Sequence, residues 1–186
     1  MAAPKRTHAS IENLIKAVNT GNELLGRAIA WLTLALVLMT FVIVVMRYLF
    51  HAGSVAMQES LLYLHSLIFL LGAAYTLHHN GHVRVDIFYR PMSARRKAWV
   101  DLLGALFLLI PFCAFIFIIS WEYVANSWSY YEGSSEAGGI DAVYLLKTLL
   151  LVMPATLLLQ GLAQAAHNLL VITGHISPAA ERAEPL

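Results

Sequence analysis

The chain has 186 residues, 59% of them hydrophobic and only 12% charged, with a formal net charge of +1. Soluble domains run to roughly 45–50% apolar and ~25% charged residues, so an ordinary soluble fold is excluded. With no basic helix, zinc-finger spacing or RNA-binding signature, so is a nucleic-acid partner.

The leader, residues 1–22, places Ile11, Leu14, Ile15 and Val18 on one helical face, with Glu12, Lys16 and Asn19 turned away from it. Ser10 is a suitable N-cap and Gly21 a suitable stop. This spacing predicts a short amphipathic helix in the membrane interface. Four charge-free apolar runs follow, at 28–46, 60–77, 102–121 and 148–172. A bilayer core ~30 Å thick needs roughly 20 helical residues, and none of the runs alternates as barrel strands do. The fold class predicted is an all-α integral membrane protein with four transmembrane helices, at about 25–47, 59–78, 99–122 and 143–172, plus interfacial amphipathic helices. Residues 175–186 form a tail. The first run is too long for a secretory signal, follows a polar leader of about 27 residues and lacks a small-residue cleavage site, so it should persist as an anchor.

Lysine and arginine set the orientation. Lys5, Arg6, Lys16 and Arg27 precede the first span; Arg84, Arg90, Arg95, Arg96 and Lys97 lie between the second and third. The other two loops carry few basic residues. Both termini are therefore expected in the cytoplasm.

Between the second and third spans, Asn80-Gly81 is a turn signal. It should turn the chain out of the membrane. The alternation in 82–87 would indicate a strand in a soluble protein, but without a partner strand an extended or irregular interfacial stretch is expected. Ser93 can cap a following helix, where Arg95, Arg96, Lys97 and Trp99 suit anionic headgroups and the aromatic belt. Pro111 and Pro154 should each bend their helix by removing a backbone bond and crowding the carbonyl four residues back.

Chemical candidates are sparse. His78 and His82 have i, i+4 spacing beside His79, but Asn80-Gly81 should break the helix between them and only Asp86 is near, a poor metal-ligand set. His65 and His167 differ in depth by roughly 20 Å at ~1.5 Å per residue, too far for one haem. Arg47 and Glu59 flank the short outer loop; membrane-edge charges are costly, so they either pair with each other or meet a partner protein. Glu122, Glu132, Glu136 and Asp141 make the last loop acidic. Cys113, the one cysteine, sits in an apolar run and has no disulfide or CxxC partner. GxSxG, HExxH and P-loop motifs are all missing, so no enzyme is expected. The mid-span polar residues, such as Thr33 and Thr40, are mild, which favours a scaffold over a conduit.

Several segments together resemble the small membrane subunit, DctQ type, of tripartite ATP-independent periplasmic (TRAP) transporters. They are Arg47-Tyr48-Leu49-Phe50, Gln58-Glu59, Tyr63-Leu64, Gly72-Ala73-Ala74-Tyr75, Asn80-Gly81-His82-Val83-Arg84-Val85-Asp86, Glu132-Gly133-Ser134, Glu136-Ala137-Gly138-Gly139, Lys147 and Gln160-Gly161. The resemblance covers about 22–170. Two departures stand out: Gly139-Ile140-Asp141 lacks the proline often found there, and Met57 replaces a frequent tryptophan.

The resemblance implies a multi-pass subunit of the bacterial inner membrane that supports a large DctM-type subunit. That large subunit, not this chain, would carry sodium and an organic acid delivered by a periplasmic binding protein. No cofactor is implied here. Arg47, Glu59, Asn80, Gly81, His82, Arg84, Asp86, Glu132, Glu136 and Lys147 are the expected contacts to that partner or to lipid. The rival reading is a haem- or quinone-linked membrane anchor of an electron-transfer complex.

Overall fold

The structure is a computed structural model that describes residues 4–83 and 86–175. Among the described residues there are helices and turns and no strand. In chain order the helices are α1 (Pro4–Leu49), α2 (Val55–His78), the short α3 (Asp86–Tyr89), α4 (Ala94–Gly104), a π-helical turn (Ala105–Leu109), α5 (Ile110–Ser129) and α6 (Val143–Ile172). Helix α4, the π turn and α5 form one continuous rod, so the described chain has four helical segments long and apolar enough to cross a bilayer. This is an all-α integral membrane protein. Helix α6 packs on α1, α2, α4 and α5, and α1 packs chiefly on α2.

The leader helix is not separate from the first span. Helix α1 runs unbroken through Gly21 for 46 residues, ~70 Å at ~1.5 Å per residue and over twice the hydrocarbon thickness. A glycine in a helix interior costs only ~1 kcal/mol. Two residues near it, Asn19 and Asn22, bond to α6, and that packing carries the helix past the expected stop. Ser10 lies inside α1 and is not its cap.

Three helix ends share one solution to their orphan carbonyls. After α2, the Gly81 N–H donates to the Thr76 carbonyl and Asn80 to Leu77, with Asn80 at φ 53°. After α5, Glu132 donates to Ser127 and Tyr131 to Trp128, with Tyr131 at φ 50°. After α6, His175 donates to Leu170 and Gly174 to Val171, with Gly174 at φ 77°. Each is a Schellman end with one left-handed residue. Asparagine and glycine tolerate that conformation readily; tyrosine does not. Tyr131 is held there by neighbours on both sides: its ring meets Tyr144 edge-on at 5.5 Å, and Glu132 is bonded in place.

Two other expectations change. Residues 86–89 form a helical turn, not an extended run; the Tyr89 hydroxyl donates to Asp101 Oδ2 at 2.6 Å and Lys97 lies over the Tyr89 ring, so the turn folds back on α4. At Pro111 the break is absorbed upstream: the π turn at Ala105–Leu109 widens the helix just where the proline ring would crowd the Phe107 carbonyl. Pro154 is fully buried within an uninterrupted α6. Ser93 stands at the N-cap of α4 and accepts from the Lys97 N–H through its carbonyl, while its side chain makes no capping bond.

Candidate functional site

The polar side chains that join helices gather at two levels, one at each end of the bundle. The outer cluster centres on Glu59, in the first turns of α2. Ser54 caps that helix, its hydroxyl accepting from the Met57 N–H. Glu59 then faces the loop 130–142. One of its carboxylate oxygens accepts from the Ser134 hydroxyl and the other from the Ile140 N–H at 2.6 Å. Gly139 is required beside it, because a Cβ there would overlap the Ser134 side chain. Among the described residues no ion pair joins Glu59 to Arg47. The carboxylate is instead committed to a loop some 75 residues further along the chain. Arg47 is exposed and lines a cavity of about 400 Å³ with His51, Ser54, Met57 and Gln58.

A second carboxylate completes the outer cluster. Glu132 Oε2 accepts from the Ser127 hydroxyl at 2.6 Å and from Lys147 Nζ. Lys147 also lies 4.1 Å above the centre of the Tyr123 ring, an electrostatically favourable place for a cation. The Glu132 carbonyl accepts from the Tyr144 N–H. The end of α5, the loop and the start of α6 are thus fastened together, with Trp128 Nε1 donating to Thr148. Glu136 is exposed and takes part through its backbone, its N–H donating to the Ser134 hydroxyl and its carbonyl accepting from the Gly139 N–H.

Lys147, then Ser127, hold the Glu132 carboxyl below the usual carboxylate range by bonding its ionised form. A group with a depressed folded pKa stabilises the fold above its unfolded pKa and loses that contribution as pH falls through the lowered folded value. Protection of the Tyr144 amide against hydrogen exchange should therefore hold at neutral pH, begin to fall as pH enters the usual carboxylate range and level off below the lowered folded value. Lys147→Gln should shorten that fall, so that it levels off at higher pH. An unchanged profile in the variant would exclude the lysine as its cause.

The inner cluster was not foreseen as a cluster, although Asn19 and Gln160 were each noted in the sequence. Asn22 of α1 and Gln160 of α6 are both buried, and the Asn22 amide donates to Gln160 Oε1 at 2.6 Å. Gln160 Nε2 in turn donates to Asn19 Oδ1 at 3.2 Å and lies 3.4 Å from His78 Nδ1. Glu23 bonds Arg27 through Oε1 and His79 through Oε2. The signal available was Asn22, a polar residue that continues the leader's apolar face four residues after Val18, and the glutamines Gln160 and Gln164 in a charge-free run. Neither names its partner.

The remaining predicted residues stay apart from these clusters. Asn80 and Gly81 form the turn that ends α2, with the Gln164 amide 3.5 Å from Asn80 Oδ1. His82 is exposed; Arg84 and the Asp86 side chain lie outside the described residues, as does the tail from 176 onward. Arg95, Arg96 and Trp99 are exposed on α4. Val83, Ile87 and Phe88 are exposed on the segment before it.

Large apolar side chains cover the outside of the bundle. Trp31 and Phe41 on α1, and Phe112 and Ile118 on α5, are all more than half exposed. In water such surface would be untenable, whereas lipid or another membrane protein covers it without cost.

Comparison with the curated proteins found no match, and comparison with the solved structures found none either. The model of one protein family, described as "Tripartite ATP-independent periplasmic transporters, DctQ component", matches residues 36–170. That segment includes both partners of the outer fastenings and the α6 half of the inner one. The match extends over well more than half of the chain, which therefore belongs to the DctQ family, the small membrane subunits of TRAP transporters.

Proposed function

We propose that this subunit is a stationary brace for the large DctM-type membrane subunit of a sodium-coupled TRAP transporter that takes up an organic acid from a periplasmic binding protein. The observation that carries the reading is the pair of polar clasps, one at each end of the bundle. Asn22–Gln160 ties α1 to α6 at the inner end, while Glu59 and Glu132 tie α2, α5 and α6 at the outer end. Polar groups satisfied within a bundle favour one helix arrangement, because sliding a helix would leave them unpaired in hydrocarbon. A body built this way suits a part that holds still while another moves. It carries no catalytic role in this reading, and the sodium sites belong to the large subunit. Its broad apolar exterior and the interfacial residues Arg95, Arg96, Lys97 and Trp99 widen and anchor that still part in lipid.

The test is reconstitution of the large subunit in liposomes with and without this chain, a sodium gradient and the cognate binding protein. Spin labels on α2 and α6 would report motion relative to the substrate-carrying domain. We expect uptake to require this chain, and the α2–α6 distances to stay fixed while those to the substrate domain change during transport. Labels that travel with the substrate domain, or full uptake without the chain, would overturn the brace.

A further inference from the structure

Three chemically capable side chains meet where the end of α2 lies against α1. Glu23, His78 and His79 each offer a ligand atom, and these atoms all lie within 4.8 Å of one another. Glu23 Oε2 and His79 Nε2 are 2.8 Å apart, and the two imidazole rings are edge-on with centroids 4.8 Å apart. The backbone explains the convergence. His78 is the last residue of α2 and His79 its C-cap, so the helix ends there and consecutive side chains need not diverge as they do mid-helix. Tyr75, one turn earlier, packs its ring 4.3 Å from that of His79 and limits where it can turn. On α1, Arg27 engages Glu23 Oε1, which leaves Oε2 as the oxygen at His79.

We propose that Glu23, His78 and His79 form a binding site for a divalent zinc-type cation that cross-links α1 to the end of α2. Two imidazoles and one carboxylate are the donor set of a borderline transition metal, whereas magnesium and calcium take oxygen donors. Zinc bonds of ~2.0–2.1 Å set tetrahedral ligand atoms roughly 3.3 Å apart. The present 2.8 Å contact between Glu23 and His79 needs only to widen slightly. A water completes the fourth position, since His79 is exposed and Glu23 and His78 only partly covered. Gln160, whose amide lies 3.4 Å from His78 Nδ1, connects this site to the buried inner clasp. The carboxylate comes from a helix 55 residues earlier in the chain than the nearer histidine, which is why the histidine spacing alone looked poor as a ligand set.

The experiment is a cobalt(II) titration of the full chain, purified in detergent without a polyhistidine tag and followed by displacement with zinc. We expect one equivalent to bind with the visible absorption of four-coordinate cobalt, and zinc to remove it. Loss of an outer-shell partner costs ~10–100-fold in metal affinity, so Glu23→Gln and His79→Ala should each weaken binding at least about tenfold. His65→Ala, in the same helix but outside the trio, should leave affinity unchanged. Size-exclusion profiles matching the unsubstituted chain establish that the variants fold; His78→Gln replaces either one that does not. No cobalt absorption, or absorption equally strong in Glu23→Gln and His79→Ala, would overturn the site and leave Glu23–His79 as an ion pair between helices only.

Discussion

Gln160→Leu should destabilise the bundle by ~1–2 kcal/mol in detergent unfolding, the upper part of what one interhelical hydrogen bond contributes in a membrane protein. The glutamine is almost completely buried and serves two asparagines of α1 at once, accepting from Asn22 and donating to Asn19. Removing it strands the Asn22 amide, itself buried, and an unsatisfied buried polar group costs ~1–3 kcal/mol. Asn19 loses less, because it is only half-buried and can turn to headgroup water. The decisive comparison is with Asn22→Leu/Gln160→Leu. If the cost of the single change is the stranded amide, replacing both partners should recover most of it, since two apolar side chains of similar size pack without penalty. Equal losses in the single and double variants would mean that Asn22 and Gln160 do not act as a unit.

The same residues show what could be read from the chain and what could not. The four spans were legible because hydropathy is a local property: twenty apolar residues announce a helix without reference to anything else. The end of α2 was legible for the same reason. Asn80 and Gly81 supply a left-handed residue and a free N–H within six residues of the carbonyl they satisfy. Glu59 was recognised as a residue needing a partner, yet its partners Ser134 and Ile140 lie 75 and 81 positions away. Nothing within its own segment ranks them above nearby Arg47. Asn22 and Gln160, separated by 138 positions, are unremarkable until α1 and α6 are placed side by side. Gly21 misled for a related reason. Its helix-breaking tendency is local and worth ~1 kcal/mol, whereas the contacts that override it are tertiary.

A second glycine on α1 should behave in the opposite way from Gly21. Gly26 faces Tyr75 of α2, and a Cβ built on it overlaps the Tyr75 ring. The ring is not free to withdraw, because it also packs against His79 with centroids 4.3 Å apart, and His79 is bonded to Glu23 back on α1. Gly26→Val should therefore cost ~1–3 kcal/mol, the usual penalty for forcing carbon into a packed interface. Valine recovers only a few tenths of the ~1 kcal/mol by which glycine weakens a helix, so the steric loss wins. Gly21 has nothing within 4 Å of its would-be Cβ. There Gly21→Ala meets no obstacle and should stabilise α1 by up to ~1 kcal/mol. Thermal unfolding of the two variants beside the unsubstituted chain should give shifts of opposite sign. Tyr75→Ala combined with Gly26→Val should recover part of the loss, because the room the valine needs is then free. Shifts of the same sign for Gly21→Ala and Gly26→Val would mean that α1 and α2 do not meet at Gly26 and Tyr75. The route by which α1 holds the end of α2 would then have to run through Glu23 and His79 alone.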